Sequence, residues 1–142
     1  MSDPPDKLGV LRQWVGKAED DFRIAQHLLT LRPDCPFWAV CFHCQQSAEK
    51  YIKALLVWEQ IPFGKVHDLD ELTKLLPASY ELPVEAAAQL KLSDFAVTSR
   101  YPGGEQAIGP EDAQEALSAA RRVRDATRRQ LPPEALAVGP VG

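Results

Sequence analysis

Apolar residues recur in alternating steps of three and four along the first part of the chain. Leu11, Val15, Ala18, Phe22, Ala25 and Leu29 make one series; Phe37, Cys41, Cys44, Ala48, Tyr51, Leu55 and Trp58 make a second. A helix turns once in 3.6 residues, so each series forms a single apolar stripe on one helical face. No segment alternates with period two, and no strand or hairpin is predicted. The sustained three–four alternation favours helices lying side by side at shallow angles, as in a bundle.

The prolines set the ends of these helices. They stand at 4, 5, 33, 36, 62, 77, 83, 102, 110, 132, 133 and 140, and leave five open stretches: 6–32, 37–61, 63–76, 84–101 and 111–131. Proline is tolerated at a helix start but breaks a helix interior, so the spacing predicts five helices. Local signals agree. Asp68 stands three residues before Glu71, the spacing of a capping box with Asp in place of Ser or Thr. Gly109-Pro110-Glu111-Asp112 puts proline and two acids in a first turn, and Arg121, Arg122, Arg124, Arg128 and Arg129 crowd the other end of that helix. Acids at the start and cations at the end complement the helix dipole. The expected architecture is all-α: a five-helix up-and-down bundle with two long antiparallel helices first. Residues 1–131 form its single domain, and 132–142 are expected to be a frayed tail.

Composition changes this picture little. In 142 residues, 45% are apolar and 25% charged, the mix of a globular domain. No apolar run approaches the ~20 residues of a membrane helix. The start, MSDPPDK, is acidic and proline-rich, unlike a secretory signal. Three cysteines without such a signal point to a reducing, cytoplasmic setting rather than a disulfide scaffold. A net charge of −4 argues against a protein wrapped on nucleic acid.

Few residues carry obvious chemistry. Cys41-Phe42-His43-Cys44 has no second close ligand pair, and both cysteines lie on the apolar stripe, so they read as core rather than zinc ligands. His43 falls off that stripe and is free to face another helix or a partner. No phosphate-loop lysine motif or dinucleotide glycine fingerprint occurs, and Gly103-Gly104 reads as a turn. No cofactor is expected. Glu19, Asp20 and Asp21 point in successive directions around a helix and read as a solvated face. Gln46, Lys50 and Lys53 share one face of the second helix. The lysines suit a phosphate, or lie in water with Glu49 and Lys53 as an i,i+4 pair worth ~0.3 kcal/mol. Arg100, at the end of the fourth helix, suits a phosphate or carboxylate, or caps its own helix.

Five fragments in order resemble the HEPN domain family: WVGKAEDDFRIAQHLL, CFHCQQSAEKYIKALL, HDLDELTKLL, SRYPGGE and EDAQEALSAARRV. They span about residues 11 to 125. The most specific is Cys44-Gln45-Gln46-Ser47-Ala48-Glu49-Lys50 with Lys53-Ala54-Leu55, followed by His67-Asp68-Leu69. The resemblance implies a five-helix bundle, a homodimer often built through the long helices, and pairing with a minimal nucleotidyltransferase in toxin–antitoxin-like modules. It also implies nucleotide binding. Apolar residues off the main stripes, namely Trp14, Leu28, Trp38, Phe42 and Leu56, are candidates for the dimer surface.

Many members of the family are metal-independent ribonucleases marked by an Arg followed, after four to six residues, by a His near the start of the last long helix. Here the positions after Arg100 where that His would fall are Glu105, Gln106 and Ala107, and no histidine follows His67. Proton transfer near neutral pH suits histidine, whereas arginine is a poor base. The expectation is therefore a non-catalytic module whose ligand- or partner-binding residues are Gln46, Lys50, Lys53, His67 and Arg100. Two alternatives stand beside it. One is a ribonuclease toxin with a rearranged Arg100–His67 site, for which RNA is the substrate. The other is a purely structural interaction module.

Overall fold

The computed structural model describes residues 6–98 and 108–136, with the backbone alone for 92–98. Six helices occur among the described residues: α1 (Lys7–Leu29), α2 (Phe37–Trp58), α3 (Leu69–Leu75), α4 (Val84–Thr98), α5 (Pro110–Gln130) and α6 (Pro133–Leu136). No strand occurs among them. Five of the helices occupy the five proline-free stretches, with α5 starting on Pro110 itself. The sixth is the correction: Pro132-Pro133 starts one more turn, and Ala135 is buried beneath it. The Arg12 side chain donates to the Glu134 carbonyl at 2.9 Å and ties that turn to α1. Residues 133–136 of the expected tail are thus part of the bundle, and 137–142 lie outside the described residues.

The two stripes read from the sequence are the seam of the bundle. Leu11, Val15, Ala18, Phe22 and Ala25 of α1 are buried, with Leu29 only partly so. Cys41, Cys44, Ala48, Tyr51 and Leu55 of α2 are buried, while Phe37 and Trp58 cover its two ends. Small residues let α1 and α2 approach closely, and the Ser47 hydroxyl donates to the Ala18 carbonyl at 2.9 Å across that approach. One stripe does not describe α2, however. Val40, Gln45, Ile52, Lys53, Ala54 and Leu56 are buried as well, because α1, α3, α4 and α5 all pack around it. A helix enclosed on most sides must bury polar residues too, and these must find partners inside.

The ends of the helices follow the local chemistry. The Asp68 carboxylate accepts the Glu71 N–H at 3.1 Å and caps α3. That hydrogen bond, more than any other influence, holds Asp68 below the usual carboxylate range. The Asp112 carboxylate accepts the Gly109 N–H at 2.9 Å at the start of α5. α2 stops through two reversed hydrogen bonds, Ile61 N–H to the Leu56 carbonyl at 2.9 Å and Gln60 N–H to the Val57 carbonyl at 3.0 Å. Gln60 takes the left-handed φ of 58° that this ending requires.

Candidate functional site

Of the five residues singled out in the sequence, four lie within the described residues. Lys53 and His67 come together, Gln46 and Lys50 lie farther back along α2, and Arg100 falls outside the described residues. Lys53 is the largest departure from expectation. It is not solvated: its side chain is 5% exposed, and that of Glu49 is 6%. The Lys53 ammonium donates to Glu49 Oε2 at 3.1 Å. It also lies 5.2 Å from the Phe63 ring and 5.7 Å from the Trp14 ring, and those two rings meet edge to face. A buried ammonium needs such an enclosure, with one anion and aromatic faces replacing water.

His67 closes this box from the outside. Its side chain is 70% exposed, and Nδ1 lies 3.1 Å from Glu49 Oε2 and 3.4 Å from Lys53 Nζ. With Nδ1–H donated to the carboxylate, Nε2 is left to the solvent as an acceptor. Beside His67, the Asp68 carboxylate accepts the Glu71 N–H at the start of α3.

A second cluster repeats the arrangement one helix over. Asp21 of α1 is buried, and its two carboxylate oxygens are used separately. Oδ1 accepts His43 Nδ1 at 2.8 Å, and Oδ2 accepts the Lys50 ammonium. His43 and Lys50 are each 25% exposed, and the Phe42 ring packs edge-on against the His43 ring. Gln46 sits between them on the same face of α2 by helical spacing. The sequence missed Asp21 because an acid on an otherwise polar turn looks solvated. The usable signal was its position three residues after Ala18, on the flank of the buried stripe, opposite an off-stripe histidine.

The neighbouring acid Glu19 is not solvated either. Arg124 of α5 grips it through Nε and Nη2, Tyr51 of α2 donates its hydroxyl to it, and Arg128 lies 3.6 Å away. Burial raises its proton affinity, but these donors outweigh burial and hold Glu19 below the ordinary carboxylate value. Burial and the bond to Glu19 together push Tyr51 upward, so the phenol stays protonated. The network is a three-helix clamp. Cys41 and Cys44 are core residues as expected: burial pushes the Cys41 thiol up to about 11 and Cys44 higher still. Among the described residues no group of three or more His, Cys, Asp or Glu is placed to hold a metal ion.

The fold and these clusters define a class: a helical bundle around one nearly enclosed helix, with two carboxylate–histidine–lysine clusters built against that helix from α1 and from the loop before α3. The family follows from comparison. The HEPN domain model matches residues 11–130, and the chain belongs to the HEPN domain family. The crystal structure of TT1696 from Thermus thermophilus is similar, with 30% identity over 85% of this chain and 98% of that one and a TM-score of 0.70. The crystal structure of ST0689, an archaeal HEPN homologue, shares the fold, with 23% identity, 84% and 96% coverage and a TM-score of 0.61. No curated protein gives a significant match.

Proposed function

We propose that this protein is a non-catalytic, homodimeric HEPN module that docks a minimal nucleotidyltransferase partner in a toxin–antitoxin-like system, with a nucleotide as a second ligand at the exposed face of α2. The observation that carries the non-catalytic part is in the chain itself. The family match runs to residue 130, yet no histidine occurs after His67, so the Arg–His spacing of the family's ribonucleases is not met. The docking part is supported by the outer face of α1 and α2. Trp38 and Phe42 are 54% and 39% exposed, one turn apart on α2, and Ile24 and Leu31 of α1 and its end are exposed as well. Large apolar side chains clustered by helical spacing mark a surface that a partner covers. For the ligand, His67 is the most exposed described member of the expected set, with Gln46 and Lys50 half-buried beside it on α2 and Lys50 held by Asp21. Lys53 already has its anion.

One observation favours a second reading. His67 presents a free Nε2 while a buried carboxylate holds its other nitrogen, the arrangement of a positioned acid–base group. A ribonuclease pairing His67 with Arg100 would use it. Pure protein incubated with cellular RNA and chelator separates the two readings. The proposal expects intact RNA; cleavage that Arg100→Ala or His67→Ala abolishes would establish the ribonuclease instead. Native co-purification, with intact mass measured before and after nucleotide addition, tests the partner and the ligand.

A further inference from the structure

Gly16 is an unexplained residue. It sits in the interior of a 23-residue helix, where glycine is among the poorest of helix formers. The usual excuse is close packing, in which a neighbouring backbone leaves no room for a Cβ. That excuse fails here, because a Cβ built on Gly16 meets nothing within 4 Å. The glycine leaves open space instead. That space is a cleft of about 590 Å³ between α1, α5 and α6, within the size range of small-molecule sites.

Three cations line the cleft: Lys17 and Arg23 of α1 and Arg128 of α5. Lys17 and Arg23 are exposed and have no partner within the described residues. Arg128 is held in place, with Nη1 3.3 Å from the Tyr51 hydroxyl and 3.6 Å from Glu19. Two acids also line the cleft, Glu19 and Asp20. Glu19 is neutralised by the Arg124 fork, which leaves Asp20 as the one uncompensated negative charge among the lining residues. Gln13, Gly16, Asp20 and Arg23 recur at steps of three and four, so they share one face of α1, and Leu136 of α6 forms the opposing wall. In a protein of net charge −4, this is a local excess of positive charge around an open floor.

We infer that this cleft binds a compact, multiply charged phosphate anion, a di- or triphosphate, with Arg23, Lys17 and Arg128 around it and the bare Gly16 backbone beneath. Two guanidinium groups and an ammonium match several phosphate oxygens at once, and Arg128 needs no reordering. The site is separate from the α2 face, and its fate does not depend on the nucleotidyltransferase reading.

The test is calorimetric titration of the full chain, in phosphate-free buffer at low salt, with inorganic pyrophosphate, tripolyphosphate and ATP. Pyrophosphate and tripolyphosphate are expected to bind, and Gly16→Leu is expected to weaken them at least about tenfold by filling the floor. The same variant should melt no lower than the parent, since the new side chain enters open space and removes a helical glycine. Should it melt lower, the exposed pair Lys17→Ala/Arg23→Ala must show the same loss of binding. Asp20→Asn should tighten the binding of pyrophosphate and tripolyphosphate. ATP binding more tightly than tripolyphosphate, with that excess lost in Gly16→Leu, assigns the cleft to a nucleotide, and equal binding assigns it to the phosphate chain alone. The inference is overturned if pyrophosphate gives no heat at millimolar concentration, if sulfate competes equally, or if binding survives both Gly16→Leu and the Lys17/Arg23 double variant.

Discussion

Lys53 shows how much one residue's surroundings decide. Its ammonium is enclosed by Glu49, Trp14 and Phe63, with His67 as the lid. Removing one partner of a buried pair strands the other charge, so Glu49→Ala should cost about 3–5 kcal/mol in urea unfolding. Replacing both by apolar residues of similar size, as in Glu49→Leu/Lys53→Met, should recover most of that loss. If the single variant loses under about 1 kcal/mol, water reaches the ammonium and the pair is not buried in solution. Glu19 gives the matching acid-side prediction. Its folded proton affinity lies below the ordinary value of 4.5, so between the two values the unfolded chain binds the extra proton. The stability it contributes is complete above pH 4.5 and is lost as pH falls through the folded value. The parent should therefore weaken more steeply than Glu19→Gln below that pH, and parallel curves of urea midpoint against pH would show that the clamp does not form.

Among the elements, α2 carries the fold. Leu55 is fully buried where α2 meets its neighbours, and Leu55→Ala should destabilise by ~2–5 kcal/mol. A change under ~0.5 kcal/mol would remove Leu55 from the core. α3 and α6 contrast with it. Each is too short to stand alone and is held by a specific contact: the Asp68 cap for α3, and the Arg12–Glu134 hydrogen bond for α6. α5 is long but polar outside, and its acidic start and arginine-rich end run with the helix dipole. Its arginines then do more than complement that dipole, since Arg124 and Arg128 reach across to Glu19 and Tyr51.

For the whole molecule, the exposed apolar residues predict association. Of the five off-stripe candidates, Leu56 is buried and Trp14 and Leu28 are partly covered within the bundle, which leaves Trp38 and Phe42 outside. Sedimentation at micromolar concentration should give about twice the 15.7 kDa chain mass, and Trp38→Glu/Phe42→Glu should return it to a monomer with an unchanged melting temperature. A 15.7 kDa species for the parent at high micromolar concentration would refute the dimer.

The sequence by itself determined the five longer helices, their order and the central seam, because these depend on local rules. Proline cannot sit inside a helix, and a 3.6-residue repeat puts Leu11, Val15 and Ala18 on one side whatever the partner. It also settled that the family's Arg–His spacing is missing, which is a matter of residue order alone. Only the tertiary structure decided which polar residues are inside. Lys53 and Lys50 are three residues apart on one helix face, yet one is enclosed and the other reaches the surface, because Phe63 and His67 arrive from a loop that no periodicity on α2 could place. Asp21 was hidden in the same way: its partners, His43 and Lys50, lie on another helix. Burial of a charge depends on what the rest of the chain brings to it, and that is a property of packing rather than of spacing.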